Sequence, residues 1–183
     1  MRAAGPTRGY PEARDEFTTG DLLCFRGRRL RSATIRWLTA SVYSHVGLVY
    51  RFEGRVYCLE AVASGVRLIL MSELTRQYSG RIDYFAIPEA TQAQRQAAIG
   101  FGFLQLGKLF NRPGLLRFLW FLVSGNRVRN RSRARNLWFC SEIVSEAYRR
   151  QGLPLVPATS AYTSPQDIAA SPRVVFRFRV RKR

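Results

Sequence analysis

The stretch from Ser44 to Ala63 constrains this chain more than any other. Val46-Gly47-Leu48-Val49-Tyr50 and Val56-Tyr57-Cys58-Leu59-Glu60-Ala61-Val62 are β-rich runs on either side of Phe52-Glu53-Gly54-Arg55. β-branched and aromatic residues flanking a Glu-Gly turn predict an antiparallel hairpin. With Glu53 and Gly54 at the turn, Phe52 faces Arg55, Gly47 faces Glu60 and His45 faces Val62. His45 and Glu60 then share one face as diagonal neighbours, about 7–8 Å apart at the backbone. Gly47 leaves room directly opposite the carboxylate. A slip of one residue would send Glu60 to the other face.

The other elements group around this hairpin. Gly20-Asp21 opens a first strand, Leu22–Phe25, and residues 31–40 carry Ile35, Trp37 and Leu38 at helical spacing. Gly65–Met71 and Ile82–Ile87 predict a third and fourth run after the two of the hairpin, giving an antiparallel meander, or a barrel, that Pro88 ends. Glu89–Gly100 is helix-forming with Thr91 as N-cap. Cys140 opens an amphipathic helix, Ser141–Arg150, that Gly152 and Pro154 stop. A Pro-rich connection at 153–172 holds a short helix-like run, Ser164–Ala170. Val174–Arg183 alternates apolar residues with Arg, a strand with one basic face. The fold class is α+β: residues 1–19 form a polar leader, and residues 20–183 a single domain with an insert at about 108–136.

Charge sets the chain apart. Its 183 residues hold 30 Lys+Arg against 12 Asp+Glu, a net charge of +18, and only Lys108 and Lys182 are lysine. That surplus fits an anionic partner or an Arg-rich genome. With 46% hydrophobic and 23% charged residues the chain is globular rather than disordered. One His and three Cys without a C-x-x-C spacing exclude a disulfide framework and a structural zinc site, and no metal or cofactor is expected. No apolar run reaches the roughly 18 residues of a transmembrane helix. The N-terminus lacks the apolar core of a signal peptide, which makes the cytoplasm the default location.

The insert is unusual. Leu115–Val123 is apolar almost all round, and Asn126–Arg135 then carries five Arg in ten residues. Arg117 with Arg127, Arg129, Arg131, Arg133 and Arg135 beside an apolar segment is the layout of a substrate-facing surface or an anchor to anionic lipid. The plainer reading is a buried helix followed by a solvated loop.

Chemistry points to three residues. Cys140 at a helix N-terminus meets free N–H groups and a partial positive charge, both of which favour thiolate. His45, the only imidazole, supplies a base for such a nucleophile. Glu60, on the face of His45, can fix its tautomer. Cys24 and Cys58 lie inside strands and read as core.

Ser44-His45-Val46-Gly47-Leu48-Val49, Leu59-Glu60 and Phe139-Cys140-Ser141-Glu142-Ile143-Val144, in that order, resemble the circularly permuted branch of the NlpC-type papain-like superfamily, nearest its YiiX-like/YebB-like amidases. Gly20-Asp21-Leu22-Leu23 and Ser164-Pro165-Gln166-Asp167-Ile168 add to the likeness, which spans about residues 19–173. The resemblance implies a permuted papain-like fold, a β meander packed against the helix that carries the nucleophile. It implies Cys140 as nucleophile, His45 as base and Glu60 as orienting residue. It also implies hydrolysis of a peptide or N-acyl amide through a thioester. Lipid acyltransferases of the lecithin:retinol type share the superfamily, so acyl transfer at a membrane surface is the alternative. A nonenzymatic binder of nucleic acid or anionic membrane is a further one, although no nucleic-acid motif is visible. The expected partners are a small peptide, N-acyl or lipid substrate and an anionic membrane.

Overall fold

The computed structural model describes residues 5–27, 42–110, 120, 137–157 and 159–181. Seven strands form one mixed sheet: β1 (Thr7–Gly9), β2 (Leu22–Arg26), β3 (His45–Phe52), β4 (Arg55–Val62), β5 (Gly65–Leu70), β6 (Arg81–Ala86) and, last in the chain, β9 (Val175–Arg181). Their order across the sheet is β1-β9-β6-β2-β3-β4-β5, and β7 (Leu109–Phe110) and β8 (Leu137–Trp138) make a separate parallel pair.

The apolar runs of the strands arise because both faces are covered. Leu22, Cys24, Leu48, Leu59 and Ala61 join a core with the helices Gln92–Phe103, Cys140–Arg149 and Pro165–Ala170. Leu23, Phe25, Val49, Val56 and Cys58 alternate with them and face a second core, closed by Tyr10, Phe17, Met71 and Leu74.

The hairpin has the expected register. Phe52 pairs with Arg55 and Leu48 with Leu59. Glu53 and Gly54 both have positive φ, 46° and 70°, as a two-residue type I′ turn requires. Thr91 caps its helix by accepting from the Gln94 N–H.

Three expectations change. The meander holds only from β2 to β5, because β6 returns to pair with β2 on its other side. The helix Met71–Gln77, of which the sequence reading places only Met71, as the end of a strand, makes that crossing. A crossing strand becomes central and buried on both faces, which explains the unbroken run Ile82-Asp83-Tyr84-Phe85. Second, the order of pairing has two ends, β1 and β5, so the described sheet is not closed into a barrel by its ladders. Third, residues 7–17 do not stand apart as a leader. β1 pairs in parallel with β9, and Tyr10, Ala13 and Phe17 are buried.

The helix expected at 31–40, the apolar stretch apart from the exposed Trp120, and Arg117, Arg127, Arg129, Arg131, Arg133 and Arg135 lie outside the described residues. Among the described residues no helix is long and apolar enough to cross a membrane.

Candidate active site

Cys140 is the first residue of its helix, in the core on the first face of the sheet. His45 begins β3 and, by strand alternation, belongs with Phe25 and Val49 to the second face, its ring 5.0 Å from that of Phe25. They meet at one end of the sheet. The β3–β4 ladder is registered only from Leu48 and Leu59 onward, so His45, Val46 and Gly47 lie beyond its last rung. There the His45 imidazole and the N–H groups of Val46 and Ser141 lie beside the Cys140 thiol and act on its charge.

Glu60 is buried in β4 and joins His45 from the side. Its Oε2 lies 2.7 Å from His45 Nε2, which leaves Nδ1 for the thiol. Its Oε1 accepts from Arg67 Nε at 2.9 Å and Arg67 Nη2 at 2.7 Å. Gly47 makes the approach possible. A Cβ there would stand 2.5 Å from Cys58 Sγ, 3.0 Å from the Leu59 carbonyl oxygen and 3.4 Å from Glu60 Cβ. Gly47→Ala is therefore expected to cost about 1–2 kcal/mol of stability from overpacking, measured by urea unfolding. An unchanged midpoint would show that the strands give way freely.

The three groups set one another's charge. Burial pushes the Cys140 thiol up, but the His45 imidazolium and the two N–H donors outweigh it and hold the thiol below its ordinary value. Burial pushes His45 down, and its neighbours Cys140 and Glu60 together reverse that and raise it. Burial raises Glu60, while His45 and Arg67 bring it below the usual carboxylate value. Each of the three shifts favours the charged form of its group, and groups this close titrate as a unit. Cys24 and Cys58 differ: both are fully buried and burial drives their thiols well upward.

The structure thus brings Cys140, His45 and Glu60 together. Sequence reasoning missed Arg67, which sits directly across from Glu60 on β5. The signal was present, because counting back from the turn at Ala63-Ser64 pairs Val62 with Gly65 and Glu60 with Arg67. It also missed the sulfur's Val46 donor, which depends on where the ladder stops.

A family model described as permuted papain-like amidase enzyme, YaeF/YiiX, C92 family, matches residues 16–173. The chain belongs to this family. Its members are permuted papain-like amidases and peptidases, cysteine-type hydrolases in general. Among relatives, the probable lipoprotein peptidase YaeF of Escherichia coli strain K12 is 26% identical over 172 residues, covering 81% of this chain and 61% of YaeF. The chain therefore spans about three-fifths of that relative's length. The crystal structure of the metalloprotein yiiX from Escherichia coli O157:H7 shares the fold, with a TM-score of 0.67 and 18% identity over 91% of this chain and 97% of that one. Among the described residues here, no group of three or more His, Cys, Asp or Glu side chains is arranged to hold a metal ion.

Proposed function

We propose that this chain is a thiol amidohydrolase that cleaves a peptide or N-acyl amide through an acyl-enzyme. The observation that carries the reading is the hydrogen-bonded pair His45–Glu60 set beside the Cys140 thiol at a helix start. The Cys140 thiolate attacks the carbonyl carbon, and the carbonyl π pair moves to oxygen. The N–H groups of the first helical turn, which have no partner within the helix, face the developing oxyanion. His45 gives its proton to the leaving nitrogen as the C–N bond breaks, leaving a thioester on Cys140. His45, now neutral, takes a proton from water, which attacks the thioester and frees the acid and the thiolate. Glu60 keeps the ring oriented and supports its positive charge, and Arg67 in turn holds Glu60.

Selective alkylation tests the reading. At pH 6, iodoacetamide is expected to modify Cys140 well before Cys24 and Cys58, since only the thiolate reacts and the other two thiols are held protonated. Peptide mass mapping over time reads the order. Modification of all three together, and only after unfolding, would identify Cys140 as an inert core residue.

A further inference from the structure

We propose that the cavity between β6, β9 and the Pro165–Ala170 helix is a substrate subsite that takes a short peptide-like group with an apolar side chain and a free carboxylate. The inference deepens the thiol-hydrolase reading and rests on it.

Place comes first. The cavity holds about 580 Å³. Asp83, in its lining, pairs across the sheet with Cys24, and Cys24 pairs with Val46, whose N–H lies beside the Cys140 sulfur. Asp83 is thus two strands from the residue that touches the thiol, about 10 Å at the usual strand spacing. Phe85, Ala169 and Cys140 belong to one core cluster, against which Tyr43 and Phe176 pack. On the far side, the Ser141 hydroxyl, next to the thiol, donates to the Thr163 carbonyl just before the Pro165–Ala170 helix. The cavity and the thiol therefore lie on the same face of the sheet, and a bound chain of two to three residues is long enough to span the distance between them.

Chemistry comes second. One wall is aromatic: Tyr43 packs edge-on against Phe85 at 5.7 Å, and Phe85 against Phe176 at 5.4 Å. The polar side is positive. Asp83 is buried, and both of its oxygens are engaged, Oδ2 by the Tyr43 hydroxyl at 2.8 Å and Oδ1 by Arg179 Nε at 3.0 Å. Among the described residues, Arg179 forms no ion pair beyond that with Asp83 and Arg81 forms none. Two guanidiniums against one satisfied carboxylate leave an unmatched positive charge beside an apolar wall. A carboxylate is the group that two such forks bind best.

The test compares two probes of equal size, iodoacetyl-glycyl-phenylalanine and its C-terminal amide, as alkylators of Cys140, with iodoacetamide as reference. The carboxylate probe is expected to modify Cys140 about tenfold more efficiently than the amide. Arg81→Gln and Arg179→Gln are expected to bring that ratio close to one. Arg81→Gln leaves the Asp83 pair in place, so its result stands even if Arg179→Gln fails to fold. Arg55→Gln, at the far hairpin tip, is expected to keep the wild-type ratio. Equal rates for the two probes, with iodoacetamide still selective for Cys140, would overturn the subsite and leave the thiol reading intact. The same loss of ratio in Arg55→Gln would assign the effect to the chain's overall charge and also overturn the subsite. Failure of iodoacetamide to modify Cys140 would remove both.

Discussion

His45→Ala is expected to lower hydrolysis of a fluorogenic N-acyl peptide amide by roughly 10²–10⁴-fold, the usual worth of a positioned general acid–base. Cys140→Ser is expected to remove turnover, because a hydroxyl beside the same imidazole is a much weaker nucleophile than a thiolate. The pH profile carries more information than the loss itself. In the wild type the acid limb follows deprotonation of Cys140, which His45 and the N–H donors bring below the ordinary thiol range against the penalty of burial. The alkaline limb follows loss of the His45 proton needed by the leaving amine, and Cys140 and Glu60 raise that group above an ordinary imidazole. The profile is therefore a bell that is broad toward alkali. Without His45 the acid limb moves up toward the ordinary thiol range, since the largest influence lowering the thiol is gone. Wild-type turnover in the alanine variant would exclude His45 from the chemistry.

Glu60→Gln is expected to cost about 2–3 kcal/mol of stability near pH 5.5, the worth of charged hydrogen bonds to a buried carboxylate. His45 is 19% exposed and supplies most of it; Arg67 is 43% exposed, so its share is screened. The pH dependence has a definite sign on each side. Glu60 is lowered on folding, so its contribution is present above its ordinary value of 4.5 and is lost as pH falls through the folded value. His45 is raised, so its contribution is complete below its ordinary value of 6.5 and is lost as pH rises toward about 10. The gap between wild type and variant is therefore greatest between 4.5 and 6.5 and narrows on both sides. Urea unfolding across pH 3–10 measures it. A gap that stays constant over that range would mean that the contact is not ionic.

Much of this site was legible in the residues. The Glu53-Gly54 turn sets the β3–β4 register, because a two-residue loop leaves no freedom in which residues face each other, and that register alone puts His45 and Glu60 on one side. Cys140 at a helix start was legible too, from the amphipathic spacing that follows it and the stop at Gly152. Local patterns of this kind are decided by contacts a few residues apart. The paths of β6 and of the chain's first residues were not legible, because a strand's pattern does not say which neighbour it joins. Ile82–Phe85 reads equally well as the next strand of a meander or as a central strand reached by a crossing helix.

By itself, then, the sequence determined the hairpin, its turn, the face shared by His45 and Glu60, and the helix that Cys140 opens. The tertiary structure alone decided that the thiol reaches the imidazole. Cys140 belongs to the core on one face of the sheet, and His45 and Glu60 by alternation to the other. They come together where the β3–β4 ladder ends at Leu48 and Leu59, because the Cys140 helix packs against β3 and β4 there and sets the sulfur beside His45 and the Val46 N–H. Where a ladder ends is set by what packs against it, and for this hairpin that is a helix about 80 residues further along the chain.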